Sequence, residues 1–154
     1  MDINKIEKVE LHCHSEGIIC PGKLSVLQKQ YNKYQEIDLV KLNRFFPVKN
    51  YKKWIEFIES FRPVYKKHVN ILYDLTELYI KELIRYNVKY CEIMLYFAIY
   101  SDQNIDFSLI NKFNDLKQKY KNIKINFLGT LLRTLDLKNI YNNSIHSAFS
   151  KKRG

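Results

Sequence analysis

Two histidines one residue apart are the residues of this sequence whose type and spacing best suit chemistry. His12 and His14 lie in the segment "KVELHCHSEG", which begins with strand-like residues and ends with a glutamate and a glycine. In a β-strand, residues i and i+2 project to the same side, so both imidazoles can face one point while Cys13 faces away. Imidazole nitrogens are common zinc ligands. The pair is therefore a candidate metal site, with surface or structural histidines as the alternative.

The elements around this pair predict an α/β protein. A first strand is predicted over 6–11, followed by a loop at Gly17 and a helix that begins at Pro21. Apolar runs predict two further strands over 88–100 and 123–132, the former buried on both faces. Apolar residues at helical spacing, together with the helix-ending prolines 47 and 63, predict helices over 21–34, 36–43, 50–62, 65–86 and 107–120.

This order of elements predicts parallel strands joined by crossover helices. Ligands of parallel sheets gather at the carboxyl ends of the strands. His12 and His14 stand at that end of the first strand. The topology therefore favours the metal-site interpretation of the pair.

Composition and charge narrow the class of protein. The 154 residues are 46% hydrophobic, which predicts one globular domain. The first ten residues lack an apolar signal region, and no later run is apolar enough to span a membrane, so we expect a cytoplasmic protein. Three cysteines without CxxC spacing predict reduced thiols. The net charge of +10 is spread along the chain, which makes nucleic acid an unlikely partner.

A longer stretch around the histidines resembles a known family. The run "KVELHCHSEGIICPGKL" is similar to the start of the adenosine and adenine deaminase family, whose first strand ends in H-x-H-x-(D/E)-G with a proline four residues after the glycine. Gly17 and Pro21 have that spacing. "NYKKWIEFIESFRPV" resembles the family's short helix over the purine pocket, "VKYCEIMLYF" its second strand and "INFLGTLLR" its third, so the resemblance runs from about Ile6 to Arg133.

The resemblance implies a fold and a division of the chain. It implies the first three parallel strands of a (β/α)8 TIM-type barrel, with a helical insertion between strands 1 and 2. Residues 1–134 would form the N-terminal part of this barrel, and residues 135–154 a weakly structured or helical tail. A complete barrel of this type takes about 250 residues, so the resemblance covers only part of one.

The resemblance also implies an activity, namely the zinc-dependent hydrolytic removal of the 6-amino group of adenine or adenosine. His12 and His14 would be two ligands of one zinc ion. Glu16, Gly17, Trp54 and Ile58 would bind the purine base, nucleoside or nucleotide. Bound zinc would supply an activated water near neutral pH. A glutamate at position 16 resembles the adenine-deaminase-like branch of the family.

The family's remaining catalytic groups have no counterpart in this sequence. They are a third histidine, a proton-donating glutamate, a histidine base and an aspartate ligand. His68, predicted in the middle of a helix, and His146, in the tail, are the only other histidines and are poor candidates for these roles. We therefore expect an incompletely liganded zinc ion, no complete catalytic set and a chain that is truncated and inactive alone.

Two alternatives stay open. The chain could be a non-catalytic barrel remnant that acts as an assembly module, by self-association or by pairing its sheet edge with a second chain that completes the barrel. "HCHS" also resembles the first motif of polymerase-and-histidinol-phosphatase-type phosphoesterases. The spacing of Gly17 and Pro21 and the long helical insertion before the second strand favour the deaminase.

Overall fold

A three-stranded parallel sheet organises the described part of the protein. The computed structural model describes residues 3–95 and 107–130. Its strands lie in the order β1 (Lys8–His14), β2 (Val88–Leu95) and β3 (Lys124–Gly129), and both neighbouring pairs are parallel. The predicted α/β class and the three parallel strands are therefore confirmed.

In the described part of the chain, five α-helices connect the strands. The insertion between β1 and β2 contains four of them, and one crossover helix joins β2 to β3. Their bounds are α1 Pro21–Tyr31, α2 Leu39–Asn43, α3 Tyr51–Lys67, α4 Ile71–Arg85 and α5 Phe107–Lys119. No helix within the described ranges has the length and apolar character needed to cross a membrane.

Side-chain caps and backbone conformation set the helix ends locally. Asn50 accepts a hydrogen bond from the backbone N–H of Lys53 at 3.0 Å and begins α3, while Asp38 caps α2 in the same way. Asn32 adopts a left-handed conformation, with φ at 50°, and ends α1. Because of these caps, α1 ends at Tyr31 and not at the predicted residue 34, and α2 begins at Leu39 and not at the predicted residue 36. Pro21 occupies the first turn of α1, as predicted.

The predicted helix end at Pro63 is wrong. α3 continues through this proline to Lys67, and the break in the chain follows between α3 and α4. A proline inside a helix costs about 3 kcal/mol. Phe57, Phe61 and Tyr65 lie on both sides of it, and all are buried, each contributing roughly 1.5–3 kcal/mol. The continuous apolar stripe thus outweighs the local preference of the proline.

The two faces of β2 differ in burial, contrary to the prediction that both are buried. Val88, Cys91, Ile93 and Leu95 are buried in the core cluster with residues of α4 and α5. Tyr90, Glu92 and Met94 are half-buried on the other face. The difference arises because the described helices cover one face of the sheet.

Several predictions from the sequence lie outside the described residues. These are the end of the second strand over 96–100, the end of the third over 131–132, Arg133, His146 and the tail 135–154.

Candidate metal centre at the end of strand β1

The end of β1 departs from regular strand geometry at His12. From Glu10 to Cys13 the chain advances three residues, while the paired segment of β2 advances two, from Cys91 to Ile93. One extra residue is therefore accommodated in β1, and His12 takes a left-handed conformation with φ at 66°. The regular i, i+2 alternation assumed for His12 and His14 does not hold at this point.

The two imidazoles nevertheless meet. The ring centroids of His12 and His14 are 5.2 Å apart, with an angle of 64° between their planes. Two imidazoles that bind one tetrahedral ion at about 2.1 Å place their centroids roughly 5 Å apart, so this spacing fits a shared ion. His12 is exposed, and the side chain of His14 keeps 35% of its surface accessible. An ion can therefore reach both rings from solvent.

The described part of the chain adds no third metal ligand to this pair. No group of three or more His, Cys, Asp or Glu side chains within 3–95 and 107–130 has the arrangement to hold a metal ion. Cys13, between the two histidines, packs against the core and shares a hydrogen bond with Tyr79. Burial raises the pKa of this thiol, so it is a poor ligand near neutral pH. The described residues thus offer two imidazole donors.

A short turn after β1 buries the glutamate that follows the histidines. Ser15–Gly17 forms a single 3-10 turn, in which Ser15 is fully buried and Glu16 is 4% exposed. One carboxylate oxygen of Glu16 lies 3.1 Å from Nδ1 of His14, and the hydroxyl of Ser15 donates to the other at 3.2 Å. Both oxygens of the carboxylate are therefore engaged next to the candidate metal centre.

Tyr65 of α3 holds the backbone of the same turn. Its hydroxyl donates to the main-chain oxygen of Glu16 at 3.0 Å, across 49 residues of sequence. Burial, followed by the charge of Glu16, raises the pKa of Tyr65, which keeps the phenol protonated as a donor. From the sequence, Tyr65 is predicted only as the first residue of the helix over 65–86, and Ser15 has no predicted role. Nothing in the sequence pattern signals either contact.

Trp54 of α3 forms an aromatic wall beside the histidines. Its ring meets that of His14 edge to face, with centroids 6.2 Å apart, and the ring of Tyr51 lies nearly parallel to the indole, with centroids 6.4 Å apart. Gly17 lies close to both side chains, since a Cβ added there would be 3.8 Å from Nε1 of Trp54 and 4.0 Å from Cβ of His14. Trp54, Gly17 and His14 therefore border one small region.

Two further residues that were considered for substrate or metal, Ile58 and His68, make other contacts. Ile58, one turn after Trp54, is 6% exposed and belongs to the core cluster. The prediction that His68 lies in the middle of a helix is wrong, because this residue caps the end of α3. Its Nε2 lies 2.9 Å from a carboxylate oxygen of Glu36, and its ring packs against Tyr34. His68 is thus engaged elsewhere.

The similarity of this chain to known proteins is limited to its fold. No protein-family model and no curated protein sequence matches the chain. Among solved structures, adenine deaminase from Arthrobacter aurescens is similar, with a TM-score of 0.58 and 15% sequence identity over 84% of this chain and 41% of that protein. This chain therefore spans less than half the length of that enzyme. The likeness agrees with the three parallel strands and helices and shows a partial TIM-type barrel.

Proposed function

We propose that this chain supplies two metal ligands and one side of a purine pocket to a zinc-dependent hydrolase that removes the 6-amino group of adenine or adenosine. The observation that carries the proposal is the 5.2 Å separation of the His12 and His14 rings at the carboxyl end of β1. In barrels of this type, active sites lie at that end of the strands. The similar solved structure is an adenine deaminase, which supports a purine as substrate.

The backbone of His12 supports a functional role for the pair. A residue other than glycine in the left-handed region costs roughly 1–2 kcal/mol. Such conformations and strand bulges cluster at functional sites, where the surrounding structure maintains them. Here the cost accompanies the placement of one imidazole beside another.

Each residue of the site has a proposed part in the reaction. His12 and His14 would hold the ion, and the chemistry that zinc supplies when bound is an activated water near neutral pH. The indole of Trp54 would contact the face of the purine, while Gly17, without a side chain, leaves space beside it. Glu16 would border the purine ring, and Ile58 would support the indole of Trp54 from the core.

Turnover requires acid and base groups that the described residues do not bring together. We therefore expect no release of ammonia from adenine or adenosine by this chain alone. Ammonia release that disappears in His12→Ala would contradict this expectation while supporting the site.

Metal binding tests the proposal directly. We expect one zinc ion per chain, measured by calorimetry and by metal analysis after dialysis, and loss of binding in His12→Ala and His14→Ala. His68→Ala is the matched control, because it removes an imidazole that pairs with Glu36 instead. Zinc binding that is absent from the wild-type chain, or unchanged in both site variants, would refute the metal centre.

Substrate contact is tested at Gly17. A methyl group there would meet Trp54 and His14 at ordinary contact distances of 3.8 and 4.0 Å, so Gly17→Ala should fold normally. It should weaken adenine binding to the zinc-loaded chain, because the added methyl narrows the space beside the indole. Gly22→Ala is the control, since no atom lies within 4 Å of its added methyl. Equal adenine affinity in both variants would remove Gly17 from the pocket.

Assembly through the edge of the sheet is the second candidate function. β1 lies at one end of the described sheet, and its side chains Val9 and Leu11 are 64% and 56% exposed. Exposed apolar edge strands pair readily with other strands. Light scattering should then show a dimer or larger assembly that Val9→Lys dissociates. A monomeric wild-type chain at micromolar concentration would contradict this function.

A further inference from the structure

The buried carboxylate of Glu16 is within hydrogen-bond distance of the ring of His14. This contact suggests a role for Glu16 besides the proposed contact with the purine. The geometry points to Glu16 as a positioning residue that holds His14 in the Nδ1–H tautomer, with Nε2 free to bind a metal ion. The metal part of this inference rests on the proposed function of the histidine pair. The tautomer part rests only on contacts within this chain.

The chemistry of the contact determines which nitrogen carries the hydrogen. A carboxylate has no hydrogen to donate, so the ring nitrogen that faces it must be the donor. Nδ1 of His14 lies 3.1 Å from Oε1 of Glu16. A neutral imidazole has one N–H and one lone pair, so the lone pair is left on Nε2. Histidine ligands of metals commonly donate their other ring nitrogen to such a carboxylate.

The carboxylate is itself held in place by two other residues. The hydroxyl of Ser15 donates to its second oxygen at 3.2 Å, and the phenol of Tyr65 fixes the main-chain oxygen of Glu16 at 3.0 Å. With 4% of its surface exposed, the side chain has little freedom to turn towards solvent. A carboxylate constrained in this way orients the ring it contacts.

His12 lacks this support. It is exposed, and no hydrogen bond to its ring is found in the described part of the chain. The two rings are therefore prepared differently, His14 by Glu16 and His12 by its backbone alone. His12 serves as an internal reference for the tautomer of His14.

The tautomer can be measured without any metal. Long-range proton–nitrogen spectra of the 15N-labelled, metal-free chain at mildly alkaline pH distinguish protonated from bare ring nitrogens. We expect His14 to show Nδ1 protonated and Nε2 bare, and His12 to show a mixture. A wild-type His14 protonated at Nε2 would overturn the inference, whether or not any variant folds.

Variants at position 16 extend the test to metal binding. Glu16→Ala should remove the tautomer preference and weaken zinc binding by about 10- to 100-fold, the usual effect of losing such a partner. Glu16→Gln should keep much of the preference, because its amide oxygen can still accept from Nδ1. Glu7→Ala, at an exposed site before β1, is the matched control and should change neither quantity.

The outcomes separate this inference from the proposed function. An Nδ1–H tautomer that depends on Glu16, together with no zinc binding by the wild-type chain, would support the positioning contact and refute the metal centre. Zinc binding with the same affinity and the same His14 tautomer in Glu16→Ala would refute the positioning role and leave the metal centre intact.

Discussion

The rings of His14 and Trp54 meet edge to face, with centroids 6.2 Å apart and an angle of 72° between their planes. This contact joins the end of β1 to α3, two elements separated by α1 and α2 in the sequence. Trp54 is the single tryptophan of the chain, so its fluorescence reports on the neighbourhood of the candidate metal centre.

Zinc should change the fluorescence of Trp54. An ion held by His14 adds positive charge next to the indole, which should shift or quench its emission with the same midpoint as zinc binding measured by calorimetry. The response should vanish in His14→Ala. Trp54→Phe should lose the signal and still bind zinc, since phenylalanine keeps an aromatic ring at the contact. Fluorescence that follows zinc in His14→Ala as it does in the wild type would place the bound ion elsewhere.

The buried carboxylate of Asp74 should contribute to the free energy of unfolding. It is 8% exposed, and its carboxylate accepts hydrogen bonds from Nζ of Lys33 at 3.0 and 2.9 Å and from the hydroxyl of Tyr34 at 2.6 Å. Burial, followed by the bond to Asp74, raises the pKa of Tyr34, so the phenol remains a donor. Asp74→Ala should lower the free energy of unfolding in urea by about 1–3 kcal/mol, because Tyr34 loses its acceptor.

Lys33→Ala provides the comparison for Asp74→Ala. The side chain of Lys33 is 49% exposed, so its ion pair with Asp74 is screened by solvent and should contribute less than about 1 kcal/mol. A Lys33→Ala variant destabilised as much as Asp74→Ala would show that the ion pair, rather than the buried hydrogen bond of Tyr34, dominates.

The ion pairs of Glu77 should make stability depend on pH in mild acid. Burial alone would raise the pKa of Glu77, but hydrogen bonds from Lys119 and Tyr120, both at 2.6 Å, outweigh it and lower the pKa below its ordinary 4.5. The carboxyl group of Glu77 therefore holds its proton less tightly in the folded state than in the unfolded state. Its contribution to the free energy of unfolding is present above pH 4.5 and is lost as the pH falls through the lower pKa of the folded state.

Urea unfolding at a series of pH values checks this contribution. Glu77→Gln should reduce the acid-side loss of stability by about 1 kcal/mol or less, because the group is partly screened by solvent. Glu59→Gln, which removes an exposed carboxylate paired with Arg62 on α3, is the control for a surface ion pair. An unchanged pH profile in Glu77→Gln would show that other carboxylates cause the acid sensitivity.

The three cysteines should react with iodoacetamide in a definite order. Burial raises the pKa of Cys91 to about 12 and also raises that of Cys13, so neither forms much thiolate near pH 8. Cys20 is half-buried at the start of α1 and should be labelled first. Mass spectrometry should find Cys91 modified only in denaturant. Rapid labelling of Cys91 in the native chain would contradict its burial.

Local patterns were sufficient to predict the class of fold. The apolar runs of β2 and β3 and the helical spacing of α4 and α5 follow from nearest neighbours along the chain, and all of these elements are observed. The parallel arrangement followed from the helices that connect the strands. At Pro63 the local pattern predicts a helix end, but α3 continues to Lys67. The burial of Phe61 and Tyr65 on either side of the proline depends on tertiary contacts, which the local pattern does not contain.

For the candidate site, the sequence by itself determined which residues stand near each other at the end of β1: His12, His14, Glu16 and Gly17. Only the tertiary structure decided how they are arranged. The bulge at His12 depends on pairing with β2, and the positions of Trp54 beside His14 and of Tyr65 on the Glu16 backbone depend on the docking of α3. The physical reason is that spacing along a chain sets which side chains are neighbours in one element. Contacts between elements follow instead from the burial of their apolar faces.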